Sequence, residues 1–80
     1  MDAGVVVTVY VAPPLADRVM GRLQRVAARH QWALSVRTDA AAAAEADLVI
    51  ADSGGALLGR VRAGSPRAEQ AKQMADSALP

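Results

Sequence analysis

The chain has 80 residues, of which 52% are hydrophobic and 21% are charged, and its formal net charge is +1. This length indicates one domain spanning 1–80, and this balance of apolar and charged residues argues against a disordered chain. The absence of cysteine excludes disulfides, thiolate nucleophiles, redox dithiols and cysteine-based metal sites. A secreted domain of this size without disulfides would be unusual, so the composition favours a cytoplasmic location. No stretch reaches the roughly 20 apolar residues of a membrane span.

The first half of the chain predicts a strand, a helix and a second strand. Residues 5–11 are a nearly continuous β-branched run, which is typical of a strand buried on both faces, and Pro13 and Pro14 end it. This run is not predicted to be a signal peptide, because no basic segment precedes it. A helix is predicted over residues 15–31, where apolar side chains recur on one face. Residues 33–38 then alternate between apolar and polar, as in a half-exposed strand.

The middle of the chain predicts a strand hairpin. Asp39 can cap a short helix or turn over residues 40–44, and a second buried strand is predicted over residues 47–52. Residues 53–55, Ser-Gly-Gly, indicate a tight reversal of the chain. Residues 56–62 are then the predicted partner strand of the hairpin.

The C-terminal part combines a strand interrupted by glycine with a closing helix. Gly59 either weakens the predicted fourth strand or marks a bulge. Ser65 as N-cap, with Pro66 at the first position, is a helix-start signal for a helix over residues 67–79. This helix has a thin apolar stripe of alanines and Met74. The predicted fold is a single small α/β domain in the order β-α-β-(short α)-β-β-α, with helices packed on a sheet and a right-handed first crossover.

This order, with its Gly-Gly hairpin and closing helix, resembles the thioredoxin-like fold. Val9-Tyr10-Val11-Ala12-Pro13 is similar to the first strand and turn of glutaredoxins and to the opening of KaiB-type clock proteins. Residues 49–55 are similar to the thioredoxin hairpin. The family's CxxC would follow Pro13-Pro14, where this chain has Leu15-Ala16-Asp17-Arg18, and Ala46-Asp47 stand where its cis-proline would be. The resemblance therefore implies a non-catalytic member, and such members imply protein–protein binding.

A second resemblance points to another fold family. Ala46-Asp47-Leu48-Val49-Ile50 is similar to a parallel strand of the small phosphotransferase IIB domains. Those domains carry a phosphorylated residue in the first β-α loop, which here is Ala12-Pro13-Pro14-Leu15 and contains neither Cys nor His. A degenerate IIB-like domain is therefore an alternative, which a parallel last strand would favour.

Motifs that could carry catalysis are incomplete in this chain. Asp52-Ser53-Gly54-Gly55 matches the nucleophile region of trypsin-like proteases, but that chemistry needs a histidine base, an orienting aspartate and an oxyanion hole. His30, the only histidine, lies on the apolar face at the end of the first helix. It is expected either to be partly buried or to interact favourably with the helix dipole at the C-terminal end. A strand would separate Asp47 and Asp52 by roughly 16 Å, which is too far for the two carboxylates to act in one acid–base site. They are therefore interpreted as turn formers. No enzyme activity, cofactor or metal site is predicted.

The candidate binding residues lie around the start and along one side of the first helix. Pro13, Pro14 and Leu15 follow a central strand at its carboxyl end, where open α/β sheets place their sites. Four arginines then form one narrow stripe at helical spacing: Arg18, Arg22, Arg25 and Arg29. The sequence predicts that these seven residues contact a partner.

Charge is distributed unevenly along the chain. Residues 1–38 carry five Arg against two Asp, or +3, residues 39–52 carry −4, and the remainder carries +2. A dipolar surface suits a protein partner, particularly an acidic one, better than a uniform polyanion. The sequence thus predicts a non-catalytic adaptor, inhibitor or small complex subunit. The alternatives are a nucleic-acid-associated protein that uses the Arg stripe, and a homo-oligomer that supplements the small core.

Overall fold

The chain folds into strands and helices in the order that its hydrophobic periodicities predict. The computed structural model describes residues 4–79, so the predicted domain limits at residues 1 and 80 lie outside the described part. A 3₁₀ turn at Pro13–Leu15 precedes the first helix. The elements are β1 (Val6–Val11), α1 (Ala16–His30), β2 (Ala33–Arg37), α2 (Ala40–Ala43), β3 (Leu48–Ser53), β4 (Ala56–Val61) and α3 (Ala68–Ala78).

The four strands of the described part form one mixed sheet in the order β2-β1-β3-β4. β1 pairs in parallel with β2 on one side and with β3 on the other. β4 pairs antiparallel with β3, from Leu48 opposite Val61 to Ser53 opposite Ala56. The predicted hairpin is therefore confirmed. The direction of β4 is not the parallel one that would have favoured a IIB-like domain.

The hairpin turn consists of two glycines that both adopt positive φ. Gly54 has φ 61° and Gly55 has φ 89°, a conformation that residues with a Cβ rarely adopt. Two-residue turns of this kind twist in the same sense as the strands that they join. Asp52 accepts a hydrogen bond from the Gly55 N–H at 3.1 Å, which confirms its predicted role as a turn former.

The core lies between one face of the sheet and the helices α1 and α3. On β1, Val7, Val9 and Val11 are completely buried, and Leu48 and Ile50 of β3 extend this layer. The two helices contribute their apolar stripes to the same cluster: Val19, Leu23, Val26 and Ala27 from α1, and Ala71, Met74 and Ala78 from α3. The predicted stripe of α3 is therefore confirmed.

The other face of the sheet is largely uncovered, so the prediction of strands buried on both faces is wrong. Val6 is 46% exposed, and Thr8, Tyr10 and Val49 are only half-buried. The two parallel crossovers run in opposite directions across the sheet, and right-handed connections therefore place α1 and α2 on opposite faces. Because α2 is a single turn, it covers little of its face.

Gly59 makes room for α3 and does not form a bulge. The register of β3 and β4 is continuous through the pair Ile50 and Gly59. A Cβ at Gly59 would lie 2.8 Å from Leu79 Cδ1, the end of a flexible side chain, and 3.3 Å from Ala75 Cβ, so Leu79 would have to move and Ala75 to shift slightly. The missing side chain thus allows the C-terminal helix to approach β4 closely.

Neither of the two predicted N-cap side chains makes a capping hydrogen bond to its helix. Asp39 lies at the N-cap position of α2 as predicted, but its carboxylate makes no capping hydrogen bond and accepts one from Arg37 Nε at 3.2 Å instead. Ser65 is not the N-cap of α3, because that position is taken by Arg67, and the prediction is wrong there. The Ser65 Oγ instead accepts the Arg67 N–H at 3.1 Å, in the turn before the helix. The regular helix begins at Ala68, one residue later than predicted.

The C-terminus of α1 is closed by a residue with left-handed backbone geometry. Gln31 has φ 60°. The Trp32 N–H donates to the Ala27 carbonyl at 2.9 Å, and the Gln31 N–H donates to the Ala28 carbonyl at 3.2 Å. These two bonds form a Schellman motif, in which glycine is the usual residue at the left-handed position.

Replacing the residue at this left-handed position with glycine should stabilise the fold. We expect Gln31→Gly to raise the free energy of unfolding by about 1 kcal/mol, because glycine adopts positive φ without strain. The matched control, Gln24→Gly, lies at an exposed position inside α1 and should lower it by about 1 kcal/mol. Urea denaturation followed by circular dichroism measures both values, and a loss of stability in both variants would contradict the assignment of this motif.

Candidate functional site

The Arg stripe of α1 projects into solvent because the opposite side of the helix is buried. Val19, Leu23 and Val26 lie in the core, and this contact determines how the helix is rotated about its axis. All four arginines of the stripe are exposed: Arg18, Arg22, Arg25 and Arg29. With a rise of 1.5 Å per residue, the stripe is about 16 Å long. The structure therefore brings these predicted residues together on one rigid surface.

The positive charge of the stripe is not compensated within the described residues. The ion pairs that residues 4–79 form are Arg37 with Asp39 at 3.2 Å and Arg62 with Asp47 at 3.8 Å, and neither involves the stripe. Like charges three or four residues apart destabilise a helix by roughly 0.2–0.5 kcal/mol per pair. The arrangement thus costs some helix stability.

The acidic segment of the chain is less available at the surface than its sequence suggests. Asp47 is buried, and the Asp39 carboxylate is already paired with Arg37. Glu45 and Asp52 are exposed. The surface that remains is therefore more strongly basic along α1 than acidic between α2 and the hairpin.

Two of the three residues in the Pro-Pro-Leu turn are accessible. Pro13 and Pro14 are exposed, and they lead directly into the N-terminal end of the Arg stripe. Leu15 is only 3% exposed and packs in the core, so the prediction that it contacts a partner is not supported by its position. Its N–H donates to the Ala12 carbonyl at 2.8 Å, and this local 3₁₀ turn directs the side chain inward.

The turn is also held against the neighbouring strand. The Ala12 N–H donates to the Ile50 carbonyl of β3 at 3.2 Å. Pro13 and Pro14 therefore occupy a defined position at the carboxyl end of β1, between two parallel strands. Their ring geometry fixes φ, so the conformation of this turn is restricted.

His30 does not take the partly buried position that its periodicity predicted. It is exposed, and its ring stacks on Trp32 with ring centroids 4.2 Å apart and an angle of 13° between the planes. The left-handed residue between them turns the chain so that the two rings meet. The apolar spacing of α1 extends beyond the last residue that reaches the core, so the partly buried alternative is wrong. His30 does lie in the last turn of α1, as the other alternative requires.

Asp47 is the centre of a polar cluster that the sequence analysis missed. Its Oδ2 accepts the Thr8 N–H at 2.9 Å, and its Oδ1 accepts the Ser65 hydroxyl at 2.5 Å. The Asp47 carbonyl also accepts the Arg62 N–H at 3.0 Å. One carboxylate thus links β1 to the segment between β4 and α3.

The partners of Asp47 explain why it could not be identified as a structural centre. They lie 39 and 18 residues away along the chain, and no local spacing connects them. An aspartate directly before an apolar strand is more often a turn residue. The one local indication of a polar partner for Asp47 is Ser65 in the Gly-Ser-Pro segment, but a serine at that place is also typical of a helix start.

Comparisons with known proteins give no relationship for this chain. No protein-family description, curated protein or solved structure matches it. Within residues 4–79, none of the helices combines the length and the apolar character that crossing a membrane requires. By its structure, the described part of the chain is a small α/β domain with a mixed four-stranded sheet.

Removal of the buried carboxylate should destabilise the fold far more than removal of the exposed one. We expect Asp47→Ala to lower the free energy of unfolding by about 3 kcal/mol, because it leaves buried donors unpaired beside Arg62. Asp52→Ala, at the other end of β3, should cost about 1 kcal/mol. Asp47→Asn retains one acceptor oxygen, so its loss in the free energy of unfolding should lie between those of the two alanine variants. Equal losses in the two alanine variants, measured by urea denaturation, would disprove the role of the cluster.

Proposed function

We propose that this chain is a non-catalytic protein-binding module of the cytoplasm, which acts as an adaptor, an inhibitor or a small complex subunit. Its binding surface consists of the Arg stripe of α1 together with Pro13 and Pro14, and its partner presents an acidic surface. The observation that carries this proposal is the uncompensated stripe of exposed arginines on a helix that the core holds rigidly. The element order, which resembles that of thioredoxin-like proteins, supports it by analogy alone.

The chemistry of the stripe suits carboxylates on a folded partner. Each guanidinium offers a planar set of N–H donors that can bind a carboxylate in a bidentate manner. A row of exposed charges mainly accelerates association, and it does so less as salt increases. Pro13 and Pro14 add an apolar contact at one end of the row. The surface is therefore suited to fast, reversible and salt-sensitive association.

The positions of the aromatic residues favour a protein partner over nucleic acid. The chain has one Tyr, one Trp and no Phe. Tyr10 lies on the uncovered face of the sheet, away from α1, and one face of Trp32 is occupied by His30. Single-stranded nucleic acids bind by stacking on aromatic rings beside a basic groove, and the stripe lacks such rings.

The first test is a tagged pull-down from the source lysate, with and without nuclease. We expect one stoichiometric protein to remain bound after nuclease treatment, and its surface should be acidic. Recovery of nucleic acid, together with loss of the proteins upon nuclease treatment, would replace this proposal with the nucleic-acid alternative.

A matched pair of variants tests which surface binds the captured protein. Arg22→Gln with Arg25→Gln lowers the net charge by two within the stripe. Lys72→Gln with Gln73→Glu lowers it by two on exposed positions of α3, away from the stripe. We expect the arginine variant to weaken binding at least tenfold and the control to weaken it less than threefold, as measured by calorimetry. Equal losses would indicate a general charge effect and would contradict the proposed surface.

A further inference from the structure

The uncovered face of the sheet contains a cavity that has no role in the proposed protein-binding surface. It has a volume of about 690 Å³ and lies between the end of α2, β3 and β4. Val49, Ala51 and Leu58 form its floor, and Leu58 is 55% exposed. Ala43 and Ala44 bound it on the side of α2, where their small side chains leave space. We call it the sheet-face cavity.

The sheet-face cavity lies on the opposite side of the sheet from α1 and α3. Val49 and Ala51 alternate along β3 with Leu48 and Ile50, which are buried under those helices. Successive side chains of a strand point to opposite faces, so the cavity and the Arg stripe are on different sides of the domain. A ligand in the cavity therefore does not compete with a partner bound at α1.

Two arginines provide positive charge at the edge of the apolar floor. Arg60 and Arg62 both line the cavity. Arg60 is exposed and forms no ion pair within the part of the chain that the structure describes. The apolar floor and these cations together have the composition of a small-molecule site, which is mostly apolar with a few polar groups that orient the ligand.

Arg62 retains unused hydrogen-bond donors in this arrangement. Its Nη2 is 3.8 Å from Asp47 Oδ1, which is beyond hydrogen-bonding distance. That oxygen already accepts the Ser65 hydroxyl. The Nε of Arg62 is buried and has no acceptor among residues 4–79. The Arg62 side chain as a whole is 39% exposed and lines the cavity, so an anionic oxygen there would meet its accessible donors rather than the buried Nε.

We propose that the sheet-face cavity binds a small organic carboxylate with an apolar body. The body would displace water from Val49, Ala51 and Leu58, and the carboxylate would accept hydrogen bonds from Arg60 and Arg62. The volume lies within the roughly 300–1,000 Å³ that small-molecule sites occupy. Val6 and Tyr10, on the same face, do not line the cavity, so it is confined to one half of the sheet. A confined cavity favours a small ligand over an extended segment of a protein.

The test compares three probes in NMR titrations of the full chain labelled with ¹⁵N. Decanoate has both a chain and a carboxylate, decan-1-ol has the chain alone, and acetate has the carboxylate alone. We expect saturable shifts with decanoate at Val49, Ala51 and Leu58, at least tenfold weaker binding of decan-1-ol, and no saturable binding of acetate. Equal affinities for decanoate and decan-1-ol, or shifts located elsewhere, would overturn the proposal.

A second pair of variants separates this site from the surface on α1. Arg60→Gln should weaken decanoate binding about tenfold and leave decan-1-ol binding unchanged, since it removes only the charged contact. Arg25→Gln, on α1, should change neither. Equal effects of the two variants on decanoate would overturn the proposal. Binding of the captured protein partner should not respond to Arg60→Gln, so the two proposals fail independently.

Discussion

The fold depends on the complete burial of one side of the central strand. Val7, Val9 and Val11 of β1 are inaccessible to solvent, and β1 pairs with a parallel strand on each side. The side chains of α1 that cover them determine the rotation of that helix, and this rotation places the arginines in solvent. Burial of each such side chain contributes on the order of 1.5–3 kcal/mol. Both the hydrophobic layer and the basic surface therefore follow from the same packing.

The order of the elements could be predicted because each one has a local signal. Helical spacing of apolar residues identified α1, and the Gly-Gly pair identified the hairpin between β3 and β4. Burial on both faces could not be judged, because a β-branched run is compatible with one covered face or with two. Whether the second face of the sheet is covered depends on the length of α2, because a longer helix would cover more of that face. The length of α2 depends in turn on where the chain can return to the sheet. The parallel direction of β3 likewise has no local signature.

The candidate site was predictable to the extent that it lies on one helix. The stripe from Arg18 to Arg29 follows from helix geometry, and its exposure follows from the apolar stripe beside it. Leu15 was wrongly included because it adjoins the two exposed prolines, although its helical spacing with Val19 and Leu23 indicates the buried face. The Asp47 cluster and the sheet-face cavity both assemble residues from separate elements. Such groupings depend on tertiary contacts, which a single sequence does not reveal.

The gap at Gly59 has a consequence for the sequence of events in folding. Leu79 and Ala75 pack against β4 at Gly59, so α3 can dock there only after the hairpin has formed. The hairpin itself joins neighbouring segments and closes a short loop, which is a rapid step. We therefore expect α3 to close last over the parallel strands. Transient opening of α3 while β1, β2 and β3 stay paired would expose Met74, which is completely buried in the closed fold.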